Sequence, residues 1–277
     1  MPHDSGRSRN RILGLPFTPG DVFYGWWLVG VAAFLLTLMS LTVFQGLGTI
    51  LVALERQFGW SRTALSGAFS LARVEGAILG PVEGFLVDRV GTRKMVFIGY
   101  ILMGLGFLWL GQVETLWAFY ASIMLITLGS GLGGWLAIIA MVNNWFTRQR
   151  TFAMASAMSG IHFGGLLVPL LALGIEAFEF SGAATIIGVF LLIVVGPAAK
   201  AIRNHPEDMG LQPDGDSENS SESVLTEDEE PDFTAAQALS TPAFWILTVM
   251  QGASSVAIVT LALHLVPKLT DMGMTLS

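Results

Sequence analysis
The chain has 277 residues, 53% of them hydrophobic and only 13% charged, with 32 glycines and no cysteine. So few charges exclude an ordinary soluble domain, and the lack of cysteine excludes disulfides and thiolate metal sites. The net charge of −7 is local: eleven of the 21 acids lie within residues 204–236, which hold no Lys or Arg, leaving ten acids against fourteen Lys and Arg elsewhere.

Residues 1–22 are polar, with Arg7, Arg9 and Arg11, and read as a cytoplasmic tail. The apolar run behind them is too long for a cleaved leader and lacks a small-residue cleavage site. A span needs about 20 apolar residues. The first is expected at about 24–52, opened by the interfacial rings Tyr24, Trp26 and Trp27, with Gln45 as its most polar inner residue. The second, at about 64–87, carries Arg73, Glu75 and Glu83 within an apolar run. Its Gly76, Gly80 and Gly84 have the small-xxx-small spacing that suits close helix approach. Arg73 and Glu75 are two positions apart, which predicts nearly opposite faces and no mutual pair. An arginine at mid-span cannot shed its proton, so it must face a partner, water or a ligand. No other acid is expected at its depth.

The turn after this span reads Gly84-Phe-Leu-Val-Asp88-Arg89-Val-Gly91-Thr-Arg93-Lys94. Gly91 allows a sharp reversal, and so short a turn predicts antiparallel contact between its two helices. The pattern G-x-L-x-D-R-x-G-x-R-K resembles the loop between helices 2 and 3 of the major facilitator superfamily of secondary transporters. The resemblance implies that Gly84, Asp88, Arg89, Gly91, Arg93 and Lys94 form a conformational motif that latches helix ends.

The third span is expected at about 95–112 and the fourth at about 116–142. The run Gly129-Ser-Gly131-Leu-Gly133-Gly134 in the fourth predicts close packing or a moving contact. Trp145-Phe-x-x-x-Arg150-x-x-Ala153 resembles the facilitator loop between helices 4 and 5. The fifth span, about 151–173, holds His162; Glu176 and Glu179 mark a loop; the sixth runs from about 182 to 199.

Residues 204–237 read as an acidic, disordered cytoplasmic linker and solvated spacer. Their start, Pro206-Glu-Asp-Met-Gly-Leu-x-Pro-Asp214-Gly, resembles the linker of bacterial monocarboxylate-type facilitators. A short interfacial helix at about 233–239 leads to a seventh span ending near Val266, with Gln251 and His264 inside it. Gln57-Phe-Gly-Trp-Ser61 and Asp271-Met-Gly-Met-Thr275 follow the first and seventh spans alike, an internal repeat expected of a two-half transporter. The expected domains are therefore a tail (1–22), an N-terminal six-helix domain (23–203), the linker (204–237), and the first helix and outer loop of a second six-helix domain (238–277) that continues past residue 277. Ten Lys and Arg in the tail and one set of loops, against three in the opposite set, predict a cytoplasmic N-terminus in a cell (inner) membrane.

The fold class expected is an all-α polytopic membrane protein with seven spans. No nucleotide loop, metal spacing or nucleophile triad is present, so neither an enzyme nor a cofactor is expected, and no nucleic acid. The Tyr24-Gly-Trp-Trp27 opening, Leu71-Ala-Arg73-Val-Glu75-Gly76 and the linker start resemble the monocarboxylate and oxalate/formate branch. That implies a monomeric secondary carrier of small organic anions in the bilayer, working by alternating access with proton coupling or exchange. Gln45, Arg73, Glu75, His162, Gln251 and His264 are the expected substrate pathway. A lone His or Gln in a span can equally make a packing hydrogen bond. A drug or sugar carrier of the same fold is the alternative. A seven-helix receptor is disfavoured by the cytoplasmic N-terminus and by a seventh span without lysine.

Overall fold
The structure, a computed structural model, describes residues 23–215 and 235–254. The tail, the middle of the linker and His264 lie outside the described residues. The described residues are helical throughout, with no strand.

The first unit begins with α1 (Tyr24–Met39), which runs into a π turn at Ser40–Phe44 and then α2 (Leu47–Phe58). The span expected at about 24–52 is thus interrupted near its middle. A Cβ at Gly46 would meet the Leu41 carbonyl, so only glycine fits where the chain leaves the π turn. α3 (Arg62–Val90) follows, started by Ser61, whose hydroxyl accepts from Ala64 N at 3.2 Å. One residue, Gly91, separates it from α4 (Thr92–Leu110). The fourth span is also broken, into α5 (Leu116–Gly133) and α6 (Trp135–Trp145), because Gly134 leaves helical geometry at φ −95°, ψ −114°. α7 (Arg150–Leu166) and α8 (Val168–Ala201) complete the bundle. The loop expected around Glu176 and Glu179 shrinks to one residue inside α8, Glu179, at φ 58°, ψ 170°.

α4 packs along α5 and α8, α1 along α7, and α3 mainly on α5. α3 touches α4 only lightly, contrary to the contact expected from their short turn. Glycines set the close approaches: a Cβ at Gly160 would meet the Ala33 carbonyl, and Gly99, Gly129 and Gly133 bring α4 and α5 backbones together. Gly76, Gly80 and Gly84 do not serve this way, since a Cβ at each meets nothing within 4 Å. The core holds Leu35, Tyr100, Phe107, Phe119, Met141 and Trp145. The Tyr100 hydroxyl donates to Leu35 O at 2.6 Å, satisfying the one polar atom of that ring inside the bundle.

Among the described residues, four stretches are long and apolar enough to cross a membrane: Tyr24–Phe44, Thr92–Leu110, Leu116–Trp145 and Val168–Ala201. α3 has the length but carries Arg73, Glu75, Glu83, Asp88 and Arg89, and α7 has only 17 residues. Tyr24 and Trp26 pack inward rather than facing an interface. The Tyr24 hydroxyl donates to Ala201 O at 2.7 Å, and the Trp26 ring lies 5.0 Å from that of Phe146. Trp27 is exposed.

The first stretch of the linker is ordered on the bundle. Trp145 Nε1 donates to Arg203 O at 3.0 Å, and Asn144 Nδ2 to Asn204 O at 3.2 Å. The spacer reading therefore fails for residues 204–215. The second unit contains α9 (Ala235–Ser240) and α10, residues 242–254, with a Trp245 Nε1 bond to Leu239 O at 2.9 Å joining them. Gln251 is exposed on α10.

Candidate functional site
A cavity of about 580 Å³ opens where the two broken helices face α3. Met39, Val43 and Phe44 come from the π turn of the first span, and Ser130, Gly131 and Trp135 from the glycine break of the fourth. Broken helices put free backbone groups and half-helix ends beside a cavity, the usual construction of a carrier site. π turns within α-helices often mark functional positions as well. Here the Ser40 hydroxyl donates to Ile161 O at 2.7 Å, tying the π turn to α7.

α3 supplies the ionisable wall: Arg73, Glu75 and Glu83 all line this cavity. The spacing of Arg73 and Glu75 predicts opposite faces, yet both reach it. The reason is that α3 presents over half its circumference here, from Phe69 and Ala72 through Gly76 and Ala77, with no other helix of this unit covering it. The two do not pair. Glu75 Oε2 accepts from Thr127 Oγ1 of α5 at 2.6 Å. That hydroxyl also lies 3.0 and 3.1 Å from the carbonyls of Ile123 and Met124, but its single proton favours the carboxylate. Arg73 makes no hydrogen bond or ion pair with any described residue and is exposed to the cavity. Glu83 is buried, its carboxylate against Gly131, where a Cβ would overlap it. Both acids line the cavity with Arg73, Glu75 at its depth and Glu83 ten positions further along α3, about 15 Å at 1.5 Å per residue.

The other expected pathway residues do not line this cavity. Gln45 sits just past the π turn with its side chain 3.5 Å from a Cβ position at Gly165, and His162 is exposed on α7. Gln251 belongs to the second unit. A second cavity, of about 740 Å³, lies at the α2 end between Arg56, Glu176 and Glu179. Thr127, Ser130 and Trp135 were not singled out by sequence reasoning, although the glycine run that carries Ser130 marked the region.

In the turn after α3, Gly91 takes φ 88° and lies under the Asn204 amide. Asn204 Oδ1 accepts from Thr92 Oγ1 at 3.1 Å and Arg93 N at 3.0 Å. Asp88, Arg89, Arg93 and Lys94 are exposed and form no ion pair among the described residues; Arg89 lies over the Phe85 ring, 5.5 Å from its centre. Gly84 is half-buried.

Residues 33–277 match the Major Facilitator Superfamily model. The chain belongs to the Major Facilitator Superfamily. This is a family of multi-pass membrane carriers and not of enzymes. Among curated relatives, the facilitator is 31% identical to human Monocarboxylate transporter 11 over 187 residues, which is 64% of this chain and 38% of that protein. It is 27% identical to rat Monocarboxylate transporter 12 over 179 residues, 63% of this chain and 36% of that protein. It is also 27% identical to the Oxalate:formate antiporter of Oxalobacter formigenes over 222 residues, 80% of this chain and half of that one. The facilitator thus aligns with half or less of the length of these relatives.

Proposed function
We propose that this facilitator chain serves in a secondary active transporter of small, monocarboxylate-like organic anions. The cell membrane holds it with the N-terminus cytoplasmic, and it works as a monomer by alternating access. The observation that carries the reading is Arg73: a permanent cation without a described partner, in a cavity between two broken helices. Such a group gains from a carboxylate that it can hold in a bidentate fork. The relatives support the same substrate class through their names, a monocarboxylate transporter and an oxalate:formate antiporter. Gly91 and the charges around it act as the latch that sets the inward/outward balance.

A second reading has its own support. Glu75 and Glu83 in the same cavity suit a cationic small molecule, as a drug carrier of this superfamily would bind. Uptake by proteoliposomes containing the natural full-length protein separates the two. Labelled lactate, formate or oxalate should enter and labelled cationic dyes should not; the reverse pattern would overturn the anion reading.

A further inference from the structure
Glu83 is the anomaly of the cavity. It exposes only 7% of its surface, yet no described residue donates a hydrogen bond to it. Its carboxylate lies against the backbone of Gly131, a position where a side chain would displace it. Glu75, by contrast, is held by Thr127. A carboxylate with so little exposure and no donor among the described residues is costly, and binding a proton or another cation relieves it. The other charged groups lining the cavity are Arg73 and Glu75, on α3 like Glu83 itself, ten and eight positions before it. The π turn brings only Met39, Val43 and Phe44, and α5 and α6 bring Thr127, Ser130, Gly131 and Trp135. A metal cation would want several more oxygens, and no cluster of three Asp, Glu or His occurs among the described residues.

Resting on the anion-carrier reading above, we propose that Glu83 is the proton-binding carboxylate of the transport cycle and that Glu75 is its companion in the cavity. The step is simple: Glu83 takes one proton from the side of the membrane to which the cavity opens, becomes a neutral acid, and releases the proton on the other side. Coupling follows from charge. With both carboxylates ionised, the field at Arg73 is net negative and repels an incoming anion. Protonation of Glu83 removes one of those charges, so a monoanion such as lactate or formate and the proton enter as an electroneutral pair.

The test uses the natural full-length protein in proteoliposomes with a trapped pH dye and labelled lactate, formate and oxalate as probes. In wild type, an inward probe gradient should acidify the lumen. Glu83→Gln should reduce that proton flux by about tenfold and flatten the pH dependence of probe exchange, and Glu83→Asp should restore part of both. Wild-type acidification by Glu83→Gln, probe movement without proton flux, or dependence on sodium would each overturn the proposal while leaving anion transport standing. Infrared spectroscopy decides it without any substrate. The solubilised wild type at neutral pH should show the carbonyl stretch of a protonated carboxyl group, and Glu83→Gln should lose it. No such band in wild type overturns the proton site. Failure of every probe to move, with the band present, would instead overturn the anion reading.

Discussion

The Asp214 carboxylate accepts a hydrogen bond from Arg148 N at 2.6 Å, and its two oxygens also take Thr147 N at 3.0 Å and Gln149 N at 3.1 Å. Asp214 thereby supplies, from 66 residues away, the anion that the start of α7 lacks. An acid at a helix N-terminus meets both free N–H groups and the positive end of the dipole. Asp214 itself holds φ 60°, a left-handed position rarely taken by a residue other than glycine. Asp214→Ala should cost about 1–2 kcal/mol, reduced from a buried value because the site is partly solvated. Hydrogen exchange at residues 147–149 should speed up, while exchange in α4 should not change.

Asn204 does the same for α4, through Thr92 and Arg93, while pressing on Gly91. Asn204→Ala should cost about 1 kcal/mol. Gly91→Ala should cost more, about 1–3 kcal/mol, because it adds strain at positive φ to a collision with the Asn204 amide. Thermal unfolding of the three proteins in one detergent should rank them in that order.

Not all glycines should behave alike. Gly160→Ala pushes a methyl into the Ala33 carbonyl and should separate α7 from α1, at about 1–3 kcal/mol. Gly76→Ala meets nothing in this unit and should leave its stability within about 0.5 kcal/mol. Equal losses from both would contradict this packing.

Asp88 has no described partner, so the proposed latch predicts an effect on transport rather than on stability. Asp88→Asn should insert and unfold like wild type but transport at least about tenfold more slowly. Wild-type uptake by a well-expressed Asp88→Asn protein would contradict the latch.

Sequence patterns reveal the helical bundle, the reversal at Gly91 and the ionisable residues of α3, because a charge in an apolar run is expensive wherever it lies. They conceal the breaks at Ser40–Phe44 and Gly134, which depend on how neighbouring helices seat the chain. Thr127 is equally hidden: a threonine hydroxyl in a helix ordinarily bonds its own upstream carbonyl, and only the arrival of α3 gives it Glu75. Asp214 lies in an acidic run whose composition reads as solvated spacer, and its role appears only when the fold brings α7 beside it. The small-xxx-small spacing of Gly76, Gly80 and Gly84 gives the opposite lesson, since the period alone does not bring a helix against them.

The role proposed for Arg73 is to receive the substrate anion. Its most direct test is the apparent affinity for a labelled carboxylate in counterflow by wild type, Arg73→Lys and Arg73→Gln in the natural full-length protein. Arg73→Lys, a point charge in place of a planar fork, should weaken affinity about tenfold, and Arg73→Gln about a hundredfold or more. Unchanged affinity in Arg73→Gln would contradict it.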